Sequence, residues 1–144
     1  MSQKFIVGFD DSDSAKRALE FAIERAKAQG TGILIAHVLE WSPYSFLTPE
    51  ELEERHKRRG QELERANKAI LEPVVESLKN SGVEVETALK YGHIAETLGA
   101  LAEEHDAKQI VIGRTGQSSL TSRFFGSVAG SLAQSAPVPV TIVP

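Results

Sequence analysis

Residues 5–39 read FIVGFDDSDSAKRALEFAIERAKAQGTGILIAHVL and contain a complete strand, helix and strand pattern. Two short apolar runs, Phe5–Phe9 and Ile33–Leu39, are typical of parallel strands that helices cover on both sides. Between them, apolar side chains recur every three or four positions until Gly30, after Ser and Asp residues suited to capping. The segment therefore predicts a β-α-β unit with a helical stripe formed by Ala15, Ala18, Leu19, Ala22, Ile23 and Ala26.

The same alternation continues through the rest of the chain. Further apolar runs predict strands at Val83–Leu89, Gln109–Ile112 and Val138–Val143. Two more helices are predicted from stripes made of Ile94, Ala95, Leu98, Leu101 and Ala102, and of Val128, Ala129, Leu132 and Ala133. This pattern predicts the α/β class, as a three-layer sandwich with a five-stranded parallel sheet, about four helices and right-handed crossovers. The pattern alone does not give the strand order.

The second helix is predicted to differ along its length. Thr48 as the cap and Pro49 at the first position begin it, and it is expected to run to about Asn80. Its first half, EELEERHKRRGQELER, has few apolar side chains, whereas a buried stripe returns at Ala66, Ala69, Ile70, Val74 and Leu78. We therefore expect only the second half to pack on the sheet, with a kink at Pro73.

Composition limits the class of protein. The 144 residues predict one domain over residues 1–144, and no apolar stretch has the length of a membrane-spanning helix. The start MSQKFIVG does not resemble a signal peptide, so we expect a cytoplasmic location without membrane insertion. The absence of cysteine excludes thiolate chemistry, and four histidines leave little for a zinc site. A net charge of -4 opposes non-specific binding to nucleic acid, so an anionic ligand needs local donors.

The most distinctive junction follows the predicted fourth strand. GRTG at residues 113–116 is followed by QSSLTSRFF at 117–125 and by GS at 126–127, where the last helix begins. Glycines permit positive φ and the close approach of a ligand to main chain, and a helix N-terminus presents free N–H groups to anions. Arg114 and Arg123 add candidate charged donors. We interpret this segment as a phosphate-binding loop, the alternative being glycines that only turn the chain and serines that face solvent.

The glycine spacing of this loop, followed by Ser127, resembles the ATP-binding signature of the universal stress protein family. FIVGFDDSDSAKRAL, ILIAHV and the ending SVAGSLAQSAPVPVTIVP are also similar to segments of that family. The resemblance implies strand order 3-2-1-4-5 and the architecture of adenine-nucleotide alpha hydrolase-like proteins. It implies ATP, with magnesium, across the ends of the first and fourth strands, at the topological switch.

The resemblance also implies roles for single residues. Asp10 would contact the ribose or a phosphate-bound cation, which makes it the one candidate metal ligand. Val38 would meet the adenine through its backbone. The triphosphate and ribose would be lined by Gly113, Arg114, Gly116, Gly126, Ser127 and Val128. A homodimer would form through the edge strand VPVTIV, whose exposed backbone can pair with its twin.

The acidic turn departs from the family pattern. Where the family usually has Asp-Gly-Ser, this chain has Asp10, Asp11 and Ser12, which puts a second carboxylate near the expected phosphates. Magnesium held between carboxylate and phosphate would turn this repulsion into attraction. Ser12 and Arg123 are further candidate phosphate contacts, and the alternative role of Asp11 is to cap the first helix.

Other functions are weighed against this one. A P-loop enzyme needs GxxxxGK followed by Ser or Thr, which is missing, and a dinucleotide-binding dehydrogenase needs glycines where Asp10 and Asp11 stand. His37 lies within a predicted buried strand and is interpreted as a core residue rather than a catalytic one. The resemblance implies an ATP-binding regulatory protein of the stress response, acting as a nucleotide-dependent dimeric switch or interaction module, with no catalytic residue and an unknown regulated partner. The alternatives are a dimeric interaction protein of the same fold that binds no nucleotide, and a slow ATPase.

Overall fold

Five parallel strands form one sheet in a computed structural model that describes residues 3–40, 48–115 and 127–144. Their order is β3-β2-β1-β4-β5, so the strand order reverses between β1 and β4, as expected. The first three residues of the central strand, Phe5, Ile6 and Val7, are fully buried, and Val7 pairs with Ile35 on one side and with Val111 on the other. The strands are β1 (Phe5–Gly8), β2 (Ile33–Glu40), β3 (Val85–Gly92), β4 (Gln109–Gly113) and β5 (Val140–Val143).

Helices cover both faces of the sheet and complete the predicted three layers. They are α1 (Asp13–Gln29), α2 (Pro49–Ala66), α3 (Glu72–Ser77), α4 (Ile94–Glu104) and α5 (Ser127–Ser135). Alternate residues of β1 point to opposite faces: Phe5 and Val7 pack in one core with α1, and Ile6 packs in the other with α4 and α5. Burying each such side chain stabilises the fold by about 1.5–3 kcal/mol relative to leaving it exposed.

The ends of α1 are fixed by two local devices. The hydroxyl of Ser12 accepts a hydrogen bond from the Ala15 N–H at 3.0 Å and caps the N-terminus. Gly30 ends the helix at φ 64°, in the left-handed region that suits glycine. The cap is thus Ser12, and the alternative that Asp11 caps this helix is wrong.

One continuous helical stretch follows β2, and its two halves differ as predicted. Thr48 caps it by accepting from the Glu51 N–H at 3.2 Å. Most of α2 is exposed, whereas Leu71 is fully buried in the core that contains α1. A π-helical turn, Asn67–Leu71, connects α2 to α3 directly before Pro73. Because proline cannot donate to the preceding turn, an irregularity at this point is the expected result, and it takes the form of a π turn.

The first half of this stretch, α2, nevertheless contacts the sheet through polar groups. The Tyr91 hydroxyl at the end of β3 donates a hydrogen bond to the Glu62 carboxylate. The Arg59 guanidinium lies 5.2 Å from the centre of the same tyrosine ring. The prediction that only the second half packs is therefore wrong at this place, because a stripe of apolar residues does not reveal polar anchoring.

Several predicted boundaries differ from the structure. The third strand is shifted from Val83–Leu89 to Val85–Gly92, because Gly82 has φ 80° and β3 continues in register with β2 to its end. The fifth strand begins at Val140 rather than Val138, and the helical stretch after Thr48 ends at Ser77 rather than near Asn80. Within the described ranges, no helix is both long and apolar enough to cross a membrane.

Candidate functional site

A cavity of about 640 Å³ lies at the carboxyl ends of β1, β2 and β4. Its volume is within the range of small-molecule sites, and its position is the one where open α/β sheets bind ligands. Both helical layers contribute to it: Ala15 and Ile70 from one side of the sheet, and Leu98 and Ala129 from the other. The cavity therefore has an apolar interior placed between the two layers.

The acidic turn after β1 forms one wall of the cavity. Asp10 and Asp11 both line it, and Oδ1 of Asp10 accepts hydrogen bonds from the hydroxyl of Ser12 and from its N–H, the latter at 3.1 Å. Asp11 adopts φ 62°, in the left-handed region that favours glycine. Glycine is also the usual residue here in the family that the sequence resembles. Its carboxylate is about half exposed, with the Lys16 ammonium at 3.9 Å.

Gly113 at the end of β4 has a structural function that its sequence pattern did not reveal. A Cβ at this position would lie 2.3 Å from the Ser14 hydroxyl oxygen and 2.7 Å from the main-chain carbonyl carbon and oxygen of Ser14. Its φ is not in the positive region, so the positive φ that a glycine permits is not used at Gly113. The missing side chain allows close approach of the first turn of α1, rather than of a ligand alone.

The next two backbone amides are bonded within the protein. The Arg114 N–H donates to the Val143 carbonyl at 2.9 Å, and the Thr115 N–H donates to the Ser14 hydroxyl at 3.3 Å. These two main-chain donors are therefore occupied, although Arg114 and Thr115 both line the cavity. The sequence predicts that a ligand approaches the main chain here, and no local pattern reveals that Ser14 and β5 already accept from these two amides.

The beginning of α5 supplies donors that the helix itself does not use. Ser127, Val128 and Ala129 line the cavity, and the N–H groups of a first turn have no acceptor within their helix. The positive end of the helix dipole also lies there, which favours an anion. The remaining predicted loop residues, Gly116, Arg123 and Gly126, lie outside the described residues.

The end of β2 forms another part of the cavity wall. Val38 lines the cavity and is nearly buried, and Glu40 lies at its edge. His37 also lines it, and its Nδ1 donates a hydrogen bond to the Phe9 carbonyl at 2.6 Å. Since a carbonyl only accepts, this bond places the proton on Nδ1 and fixes the ring, in agreement with its interpretation as a satisfied core residue.

Sequence reasoning missed most of the apolar lining. The sequence predicts Ile70, Ile94 and Leu98 as members of helix stripes, yet all three line the cavity. Helical periodicity identifies such residues as buried but does not say that a space lies beside them. Within the described parts of the chain, no group of three or more His, Asp or Glu side chains could hold a metal ion.

Comparison with known proteins gives a consistent result. A family model described as the Universal stress protein family matches residues 1–144. A universal stress protein of Thermus aquaticus is 35% identical over 144 residues, which cover 99% of each chain. One of Bacillus subtilis (strain 168) is 30% identical over 156 residues, with 99% of each chain covered.

Solved structures are similar over the same length. The universal stress protein UspA from Lactobacillus plantarum has a TM-score of 0.82 at 24% identity, covering 99% of this chain and 97% of that one, and this likeness concerns the fold. A universal stress protein in complex with cAMP has a TM-score of 0.70 at 26% identity, with coverage of 99% and 96%. The Archaeoglobus fulgidus protein in complex with dAMP has a TM-score of 0.64 at 26% identity, with coverage of 100% and 98%.

Proposed function

The chain belongs to the universal stress protein family, and on this basis we propose that it is a regulatory protein that binds an adenine nucleotide, ATP with magnesium above all. The observation that carries the proposal is the cavity of about 640 Å³ at the switch between β1 and β4, with an apolar interior and α5 beginning at its wall. Structurally similar proteins in complex with cAMP and with dAMP support the choice of an adenine nucleotide.

The two kinds of lining suggest how the nucleotide lies. The adenine occupies the apolar part, near Val38 and Leu98, because transfer of the faces of a flat aromatic ring from water to apolar surroundings is favourable. The phosphates occupy the polar part, near Ser127 and the Arg114 side chain, where the first turn of α5 offers N–H donors. The loop residues Gly116, Gly126 and Arg123 complete the proposed phosphate contacts. Ser12, the further candidate from the sequence, does not line the cavity, and its hydroxyl already donates to Asp10 and accepts from the Ala15 N–H.

Magnesium enters this proposal as the partner of the phosphates. Mg²⁺ prefers oxygen ligands, and proteins commonly hold the ion through one or two carboxylates together with substrate phosphates. Asp10 and Asp11 line the polar part of the cavity and fit this donor set. The ion would neutralise phosphate charge beside these carboxylates.

Calorimetric titration with ATP and magnesium tests the proposal. Ser127 is exposed and lines the cavity, whereas Ser131 is exposed on the same helix and does not. We expect saturable binding by the wild type, loss of binding in Ser127→Trp because the indole fills the entrance, and unchanged binding in the matched control Ser131→Trp. An absence of saturable heat at millimolar ATP would instead leave the dimeric interaction protein that binds no nucleotide.

We propose that bound ATP is not turned over rapidly. Two lining residues that could act as bases are already partly engaged: Asp10 accepts bonds from Ser12, and His37 is held through Nδ1 by the Phe9 carbonyl, which leaves only Nε2 as an acceptor. We expect phosphate to accumulate no faster with the protein than in buffer. Release that scales with protein concentration and stops in Asp10→Asn would replace this proposal with a slow ATPase.

We also propose that the protein forms a homodimer through β5. Because Pro139 and Val143 direct their carbonyls to β4, the main-chain groups of Val140 and Ile142 point to the outer edge of the sheet. Val140→Pro removes an outward N–H and should give a monomer in sedimentation at tens of micromolar. Val140→Ala loses the same packing, keeps the N–H and should stay dimeric; a wild-type monomer would contradict the proposal.

A further inference from the structure

The described residues that line the cavity carry more negative than positive charge. Its negatively charged lining residues are Asp10, Asp11 and Glu40, and its positively charged lining residue is Arg114. A site with this balance binds a neutral base more readily than a chain of phosphates. Its charged side chains therefore bear on which nucleotide it selects.

Asp11 is the carboxylate in this group that is best placed to act on a ligand. It lines the cavity, it is about half exposed, and its ion pair with Lys16 is long at 3.9 Å between two exposed groups. Such a pair contributes little and leaves most of the aspartate field uncompensated. Asp10, in contrast, already accepts two hydrogen bonds from Ser12.

Resting on the adenine-nucleotide site proposed above, we infer that Asp11 is a specificity-determining residue that selects nucleotides by the charge of their phosphates. Its carboxylate repels each phosphoryl group added beyond the first, so the site prefers adenosine monophosphate to free ATP. Two like charges about 4 Å apart repel by roughly 1 kcal/mol in water and by about 4 kcal/mol at an effective dielectric of 20, which corresponds to a selectivity between about fivefold and about a thousandfold. Magnesium bound to the phosphates reduces this selectivity, because it lowers the charge that meets Asp11.

The backbone at this position allows the charge to be changed without changing the fold. At φ 62° most side chains are strained, but asparagine and glycine tolerate the left-handed region. Asp11→Asn therefore removes the charge and keeps both the shape and the conformation. Asp11→Gly removes the charge and the side chain together, so agreement between the two variants identifies charge as the cause.

Calorimetric affinities for adenosine, AMP and ATP, each with magnesium and with a chelator, test the inference. Without magnesium we expect Asp11→Asn and Asp11→Gly to bind ATP about tenfold more tightly than the wild type and AMP within about threefold. Asp13→Asn is the matched control, because Asp13 is exposed in the first turn of α1, does not line the cavity and gives the same change in net charge. It should shift neither affinity by more than about twofold.

The outcomes separate this inference from the proposed function. An ATP-to-AMP preference that is equal in the wild type, Asp11→Asn and Asp13→Asn would overturn the role of Asp11 while leaving the nucleotide site intact. A gain in Asp11→Asn that disappears when Lys16→Gln is added would assign the effect to a released lysine and would also overturn it. Failure of the wild type to bind any of the three compounds would remove both proposals.

Discussion

The contact between Gly113 and Ser14 links the end of β4 to the beginning of α1 at a distance that admits no side chain. We expect Gly113→Ala to lower the free energy of unfolding by about 1–3 kcal/mol, because the new Cβ meets the backbone of Ser14 rather than a movable side-chain tip. Gly130→Ala in α5 is the control: a Cβ there meets no atom within 4 Å, so the helix should gain about 0.5–1 kcal/mol. Urea unfolding of both variants measures the difference, and equal stability of the two would contradict the assigned clash.

The same contact shows what a sequence conveys about single residues. The glycine-rich run after β4 was recognisable, and Arg114, Ser127 and Val128 line the cavity, while their contact with a nucleotide stays a prediction. What Gly113 avoids is Ser14, about a hundred positions earlier in the chain, and no local pattern connects the two. The role of such a glycine is visible only when both elements are in place.

Among the elements, α2 differs most from its prediction, because polar contacts attach it to β3. Burial, and then the hydrogen bond to the Glu62 carboxylate, raise the pKa of Tyr91 to about 12 from its ordinary value of 10. Folding therefore favours the protonated phenol. The resulting stabilisation is complete below about pH 10 and is lost as the pH rises through 12.

This coupling can be measured on a single tyrosine. The chain has two tyrosines, so Tyr44→Phe leaves Tyr91 as the one that titrates. We expect its absorbance to titrate near pH 12 in the folded protein, and Glu62→Gln to move the midpoint toward 10, because the neutral amide removes the repulsion of the phenolate. A midpoint that Glu62→Gln does not change would show that the carboxylate has no part in the shift.

Element types were largely predictable, and their boundaries and attachments less so. The apolar runs located all five strands, and the signal is continuous in the three inner strands, β2, β1 and β4, because these are covered on both faces. The shift of β3 to Val85–Gly92 was not predictable, because its last residues are polar and are held by pairing with β2. Strand order came from the resemblance to a family, since a periodic pattern contains no information on neighbours.

At the scale of the whole molecule, the cavity lies between two helical layers that otherwise meet through the sheet. A ligand that contacts Ile70 on one side and Leu98 on the other binds the native state alone and stabilises it by mass action. At about 100 times its dissociation constant, a nucleotide should add about 2.7 kcal/mol and raise Tm by several degrees. Differential scanning fluorimetry measures this shift, which Ser131→Trp should retain and Ser127→Trp should lose.

The position of β1 at the centre of the sheet affects the synthesis of the chain. Val7 pairs with Val111, 104 positions later, so this strand leaves the ribosome long before its second neighbour exists. At a synthesis rate of about 5–20 residues per second, the edge of β1 that pairs with β4 stays unpaired for roughly 5–20 s. During translation, the unpaired backbone of that edge is therefore open to pairing with a foreign strand.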